Sequence, residues 1–203
     1  NYSTHPATEN LGPIGSQKEG VIGLIVHDTM AFTIEGTPLG LLDVQCWARD
    51  AEEFGKKHQR KQRSIEEKES YKWLRSFHSV AQAQSHCPNT MLVSMGDREA
   101  DIYELFHLAS QDPKGPQLLV RAEQDRLLED GQEHLWSAVA AQPVVGIQEI
   151  HVPRRGPLPA RIACQQVRFA EVVLKPPKGK SQYGPLKLCA VLAQETGTPQ
   201  GIA

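Results

Sequence analysis

A chain of 203 residues with a net charge of −2, 39% hydrophobic and 23% charged, has an ordinary globular composition, enough for one sizeable core or a core with a smaller module. It contains no apolar run near the roughly 18 residues of a membrane span and does not open on a secretory leader, which argues against a membrane partner. Cys46, Cys87, Cys164 and Cys189 form no CxxC pair and the eight histidines are dispersed, so free thiols in a reducing cytoplasm are expected and a histidine-based metal site is not.

The chain begins at Asn1 without an initiator Met and stops abruptly in "GTPQGIA", leading to the expectation of an excised piece of a longer protein. "GVIGLIVHDTMAFT" at 20–33 and "GTPLGLLDVQCWAR" at 36–49 read as strands, and the "EGTP" turn chemistry between them predicts a hairpin. A basic loop follows. Ser64 and Glu67 then have the spacing of a capping box, predicting a helix from Ser64 with Trp73, Leu74, Phe77, Val80, Ala81 and Gln84 on its inner face. Pro88-Asn89 ends it. "TMLVSMG" at 90–96 predicts a strand buried on both faces, and "ADIYELFHLASQ" a helix with Ile102, Leu105, Phe106 and Ala109 on one side. "PQLLVRA" at 116–122 predicts a further buried strand. From about residue 125, Pro and Gly punctuate alternating segments, the pattern of an antiparallel β module. The expected architecture is therefore α/β, with a core over 1–124 and a mostly β insertion over 125–203.

Charge is unevenly placed. Residues 150–190 hold Arg154, Arg155, Arg161, Arg168, Lys175, Lys178, Lys180 and Lys187 against the single acid Glu171, and "KKHQRKQR" at 56–63 carries no acid. Such patches suit a phosphate backbone, although a solvated loop gives the same pattern.

The densest chemistry lies in "GDREADIYELF", where a strand ends at Gly96 and Asp97, Arg98, Glu99 and Asp101 follow within five residues. Functional groups collect at the carboxyl ends of strands in α/β sheets, where a carboxylate can serve a divalent cation. Acids at a helix start, meeting its dipole, explain the same spacing equally well. Arg98 could contact a phosphate or pair with Glu99 or Asp101. Arg121, near the end of the next strand, is a candidate phosphate contact. Trp47, Trp73 and Trp136 read as packing residues rather than base-stacking platforms.

"GDREADIYELF" resembles the second-aspartate motif of transposases of the insertion-sequence-four family, the group of the transposon-five transposase. The likeness extends to "EEKESYKWL", to the hairpin segments "PIGSQKEGVIGLIVHDTMAFT" and "GLLDVQCWAR", to "LLVRAEQDR", and to "NYSTHPATENLGPIG", which resembles the segment after the family's first aspartate. The resemblance implies a ribonuclease-H-like mixed sheet with flanking helices and an antiparallel β insertion. It implies an Asp-Asp-Glu triad holding two Mg²⁺ or Mn²⁺ ions for in-line cleavage and joining of DNA strands. Asp97 corresponds to the second aspartate and metal ligand. The first would lie shortly before Asn1 and the glutamate beyond Ala203, so this piece is expected to be inactive alone.

The implied partners are transposon-end and target DNA and a second copy on that DNA, in a bacterial cytoplasm at the nucleoid. Lys56, Lys57, Arg60, Lys61, Arg154 and Arg155 are the implied DNA contacts, with Arg98 and Arg121. Two rival readings stand beside this one: a degenerate or domesticated transposase-derived module that binds DNA without catalysis, and a nuclease of the same fold without strand transfer.

Overall fold

The computed structural model describes residues 9–15, 20–52 and 63–197. The chain divides into two compact units, Asn1–Arg121 and Ala122–Ala203. Both mix helix and strand in small sheets, an α/β organisation. Among the described residues no helix is long and apolar enough to cross a membrane.

In the first unit, β1 (Gly12–Pro13) and β2 (Ile22–Gly23) form a short antiparallel pair, followed by β3 (Ile25–Phe32) and β4 (Pro38–Trp47). The last two make the expected hairpin, closed where Thr33 N–H donates to the Thr37 carbonyl at 2.9 Å. Gly36 takes φ +86° in that turn, a conformation that L side chains resist. Helix α1 (Tyr71–His86) starts six residues later than the capping-box spacing predicts. Ile65 is the cause. Its side chain is buried with Leu74, Phe77, Ala100 and Leu105, and residues 64–70 run as successive turns to keep it there. Ser64 bonds the Glu66 carboxylate instead of capping a helix.

β5 (Val93–Gly96) and β6 (Gln117–Val120) pair in parallel, with α2 (Tyr103–Ser110) between them in the chain. A β–α–β unit is the standard way to join neighbouring parallel strands. Leu118 and Val120 pack toward the buried cluster. The expectation that β5 is buried on both faces is wrong, and β6 is not the buried strand expected: Met95 is 72% and Leu119 54% exposed. Helices cover one face only, because α1 and α2 pack on the same side as Leu118, Val120 and Gly96. The four short sheets of the described residues are separate, so the single mixed sheet expected for 1–124 is not assembled among them.

Gln84 sits on the inner face of α1, and it does more than pack. Its Nε2 donates to the carbonyls of Cys87 (3.0 Å) and Thr90 (2.6 Å), and its Oε1 accepts from Leu92 N–H at 2.9 Å. One buried amide thus stitches the turn that leads into β5. Gln84→Leu keeps the volume but takes the partner from the Thr90 carbonyl and the Leu92 N–H, each costing about 1–3 kcal/mol if left buried and unpaired, while the Cys87 carbonyl keeps the Thr90 N–H. Water will reach some of them, so the expected loss is about 2 kcal/mol or more, read from the urea midpoint of the purified chain.

The second unit contains the three-stranded antiparallel sheet β7 (Gly146–Val152), β8 (Arg161–Leu174) and β9 (Leu186–Glu195), in the order β7-β8-β9. It is not purely β. Helix α3 (Leu135–Ala140) carries buried Leu135, Ala138 and Val139 and contacts β8 and β9, whose Ala170, Val172, Leu174 and Leu186 are buried. Asp125, ten residues before the helix, supplies its N-terminal cap by accepting from Trp136 N–H at 2.9 Å. That distant cap explains why no local capping signal marks the helix. Trp136, expected to pack, is 53% exposed.

Candidate functional site at the end of the parallel strand pair

Strand β5 ends at Gly96, and the chain turns at once into a short 3-10 turn over Arg98–Ala100. Asp97 caps this turn: its backbone is extended (φ −75°, ψ −169°) and its Oδ1 accepts from Glu99 N–H at 2.9 Å. The side chain is exposed, and its second oxygen has no hydrogen bond among the described residues. Gly96 is required at the turn. A Cβ there would overlap the Cβ of Ala100 and lie 3.4 Å from Cζ3 of Trp73.

The parallel register aligns Gly96 with Val120, and Arg121 N–H donates to the Gly96 carbonyl at 3.2 Å. The ends of two strands therefore bring Arg121 beside Asp97, both exposed, with Arg98 adjoining in the chain. Glu99 and Asp101 separate from them in opposite ways. Asp101 is 6% exposed, turned into the protein before α2. Glu99 remains at the surface, where it accepts from Lys72 Nζ at 3.0 Å.

Behind this strand end lies a polar layer that sequence spacing did not disclose. Gln45 on β4, 4% exposed, donates to Asp43 Oδ2 (2.7 Å), the Lys72 carbonyl (3.0 Å) and Ser76 Oγ (3.2 Å). It ties the hairpin to the first turns of α1. His27 on β3 meets Trp73 edge to face, with ring centroids 4.6 Å apart. His27 Nε2 and Trp73 Nε1 are both buried without a hydrogen-bond partner among the described residues.

Burial first, and the Lys72 charge second, push the His27 pKa below 6.5, with Asp28, Asp43 and Glu99 pulling the other way. The fold favours neutral His27, so this contribution is fully present above pH 6.5 and is lost as pH falls through the lowered native value. Urea midpoints should therefore drop on acidification below pH 6.5 more steeply in the natural chain than in His27→Leu. Equal slopes would show that His27 does not couple to folding.

The two basic segments fare differently. Lys56, Lys57, Arg60 and Lys61 lie outside the described residues. In the second unit, Arg154 and Arg155 are exposed at the tip of the β7–β8 hairpin, where Arg155 and Leu158 exchange backbone bonds around Gly156-Pro157. Several of the other cations are engaged internally. Arg161 makes a two-pronged pair with Glu195, Lys187 pairs with Glu171 at 2.8 Å, and Arg168 donates to the Gln142 carbonyl at 3.1 Å. The basic stretch 150–190 is thus in part a sheet-face charge ladder.

Among the described residues no three His, Cys, Asp or Glu side chains gather in a way that could hold a metal ion. Asp97 offers one carboxylate oxygen, and the donor set for two divalent cations is not assembled here. A scan against protein-family models and a search of curated proteins found no match to the chain.

Proposed function

We propose that this chain is the central catalytic piece of a DNA transposase that cuts and rejoins DNA strands by phosphoryl transfer, with Asp97 as one of three acidic ligands. The observation that carries the reading is the end of the parallel pair: an exposed carboxylate with one free oxygen, flanked by Arg98 and Arg121. A carboxylate on a rigid strand end, beside guanidinium groups able to take phosphate oxygens, suits a phosphodiester substrate. The resemblance of "GDREADIYELF" and its neighbouring segments supplies the rest: the two other acids outside this chain, Mg²⁺ or Mn²⁺ as the cations, and a dimer on DNA. When bound, such cations stabilise the attacking and leaving oxygens of the transfer.

A ribonuclease-H-like sheet is the proposed fold of the first unit in the intact protein. Trp73 of α1 touches His27 on β3 and lies against Gly96 on β5, so one helix spans the hairpin and the parallel pair. Val26 and Met30 on the hairpin, with Val93 and Met95 on β5, leave apolar surface open on these strands. In the proposed sheet a strand carrying the first aspartate runs between β3 and β5 and joins the two pairs.

The test is cleavage and end-joining on transposon-end DNA by the intact protein and its Asp97→Asn variant. Cleavage and joining that both vanish in the variant support the transposase. Cleavage without joining indicates a nuclease of the same fold, and DNA binding without cleavage in either protein indicates a degenerate module.

A further inference from the structure

We infer that Lys72 is a positioning residue for the Asp97 carboxylate, acting through Glu99; the inference rests on Asp97 being the acid of the proposed site. Lys72 lies in the first turn of α1, far from Asp97 in sequence. Its side chain is 18% exposed, with Nζ 3.0 Å from Glu99 Oε2 and 5.7 Å from the centroid of the Trp73 ring. Most of the side chain is covered, so the position of its ammonium is set by the packing of its stem, and the ammonium meets an opposite charge there. Glu99 is that charge. Arg49, a cation that feels the Glu99 charge, is engaged by Glu69 in a two-pronged pair.

The consequence is geometric. The Glu99 side chain is 65% exposed and without Lys72 would sample many rotamers. Held by Lys72, it fixes the backbone of its own residue, and the Glu99 N–H is the group that holds Asp97 Oδ1 at 2.9 Å. Lys72 is itself anchored, because its carbonyl accepts from buried Gln45 at 3.0 Å. The series Gln45, Lys72, Glu99, Asp97 connects the hairpin, α1 and the end of β5. It orients the carboxylate so that its second oxygen stays open. Groups that orient a ligand in this way typically change activity by about 10–100-fold when removed.

Two measurements test the role. In the 203-residue chain, amide hydrogen exchange at Glu99 should quicken about tenfold in Lys72→Met, while the Leu105 amide in α2 keeps its rate. Lys72→Arg should restore protection, and Glu99→Gln, which leaves α1 untouched, should reproduce the loss. If Glu99 and Leu105 quicken together, Lys72 merely stabilises the unit and the positioning role is overturned. In the intact protein, Lys72→Met should lower cleavage about 10–100-fold with DNA affinity unchanged. The charge exchange Lys72→Glu with Glu99→Lys should recover part of it. An inactive Asp97→Asn beside a fully active Lys72→Met removes the positioning role alone. A fully active Asp97→Asn removes the site assignment, and the role with it.

Discussion

Asp97→Asn in the intact protein is expected to lower strand cleavage by about a thousandfold or more while leaving affinity for transposon-end DNA nearly unchanged. Asn is close in shape to Asp and keeps an oxygen to accept from Glu99 N–H, so the 3-10 turn over Arg98–Ala100 should persist. What disappears is the charge on the exposed oxygen. Metal-assisted stabilisation of the transferring group is worth several kcal/mol, and at about 1.4 kcal/mol per decade a loss near 4 kcal/mol is about a thousandfold. DNA affinity is governed by Lys and Arg contacts to phosphate, which the substitution does not touch. A variant that cleaves at the natural rate would return Asp97 to the simpler role of a turn cap. The 203-residue chain on its own should not nick plasmid with Mg²⁺. Nicking that disappears with Asp97→Ala would show that the acids needed are already inside it.

Gly96→Ala is expected to produce the second large effect, on stability and on the site together. The added methyl meets the Cβ of Ala100, which is fully buried, and the Trp73 ring. Neither can retreat easily. Ala100 has no side-chain freedom, and Trp73 is held between His27 and the strand. Overpacking of this kind costs about 1–3 kcal/mol, or roughly 4–8 °C in melting temperature for a loss of about 2 kcal/mol in a chain of this size. The displaced atom belongs to the turn that carries Asp97, so cleavage by the intact protein should fall with it. Gly146→Ala is the control, since a Cβ there meets nothing within 4 Å. Equal melting temperatures for the two variants would show that the turn after β5 is loosely packed.

The resemblance and the local signals lead to the same residue by different routes. "EGTP" carries its hairpin because a tight turn with a glycine at φ +86° is a local demand, satisfied within a few residues. The apolar run ending at Gly96 and the helix after it are legible for the same reason, and they place Asp97 at a strand end. Periodicity reports which side chains share a face, however, and not what covers that face. The apolar run of β5 therefore suggested burial on both sides, while Met95 and Val93 are open on one. The capping-box pattern at Ser64 failed because Ile65 found a place in the core, and packing outweighs a cap worth about 1 kcal/mol.

The amino-acid sequence by itself determined the hairpin, the β–α–β segment and the candidate acid, since each depends on neighbours a few residues away. Only the tertiary structure decided what surrounds that acid. Arg121 reaches it through the parallel register, and Lys72 through an ion pair to Glu99 from a helix 27 residues earlier. Gln84 and Gln45 proved to be connectors rather than surface or packing residues. These relations join residues distant in the chain, and each exists only because the packing of helix on strand brings those polar groups within reach of one another. A sequence pattern carries no record of which groups those are.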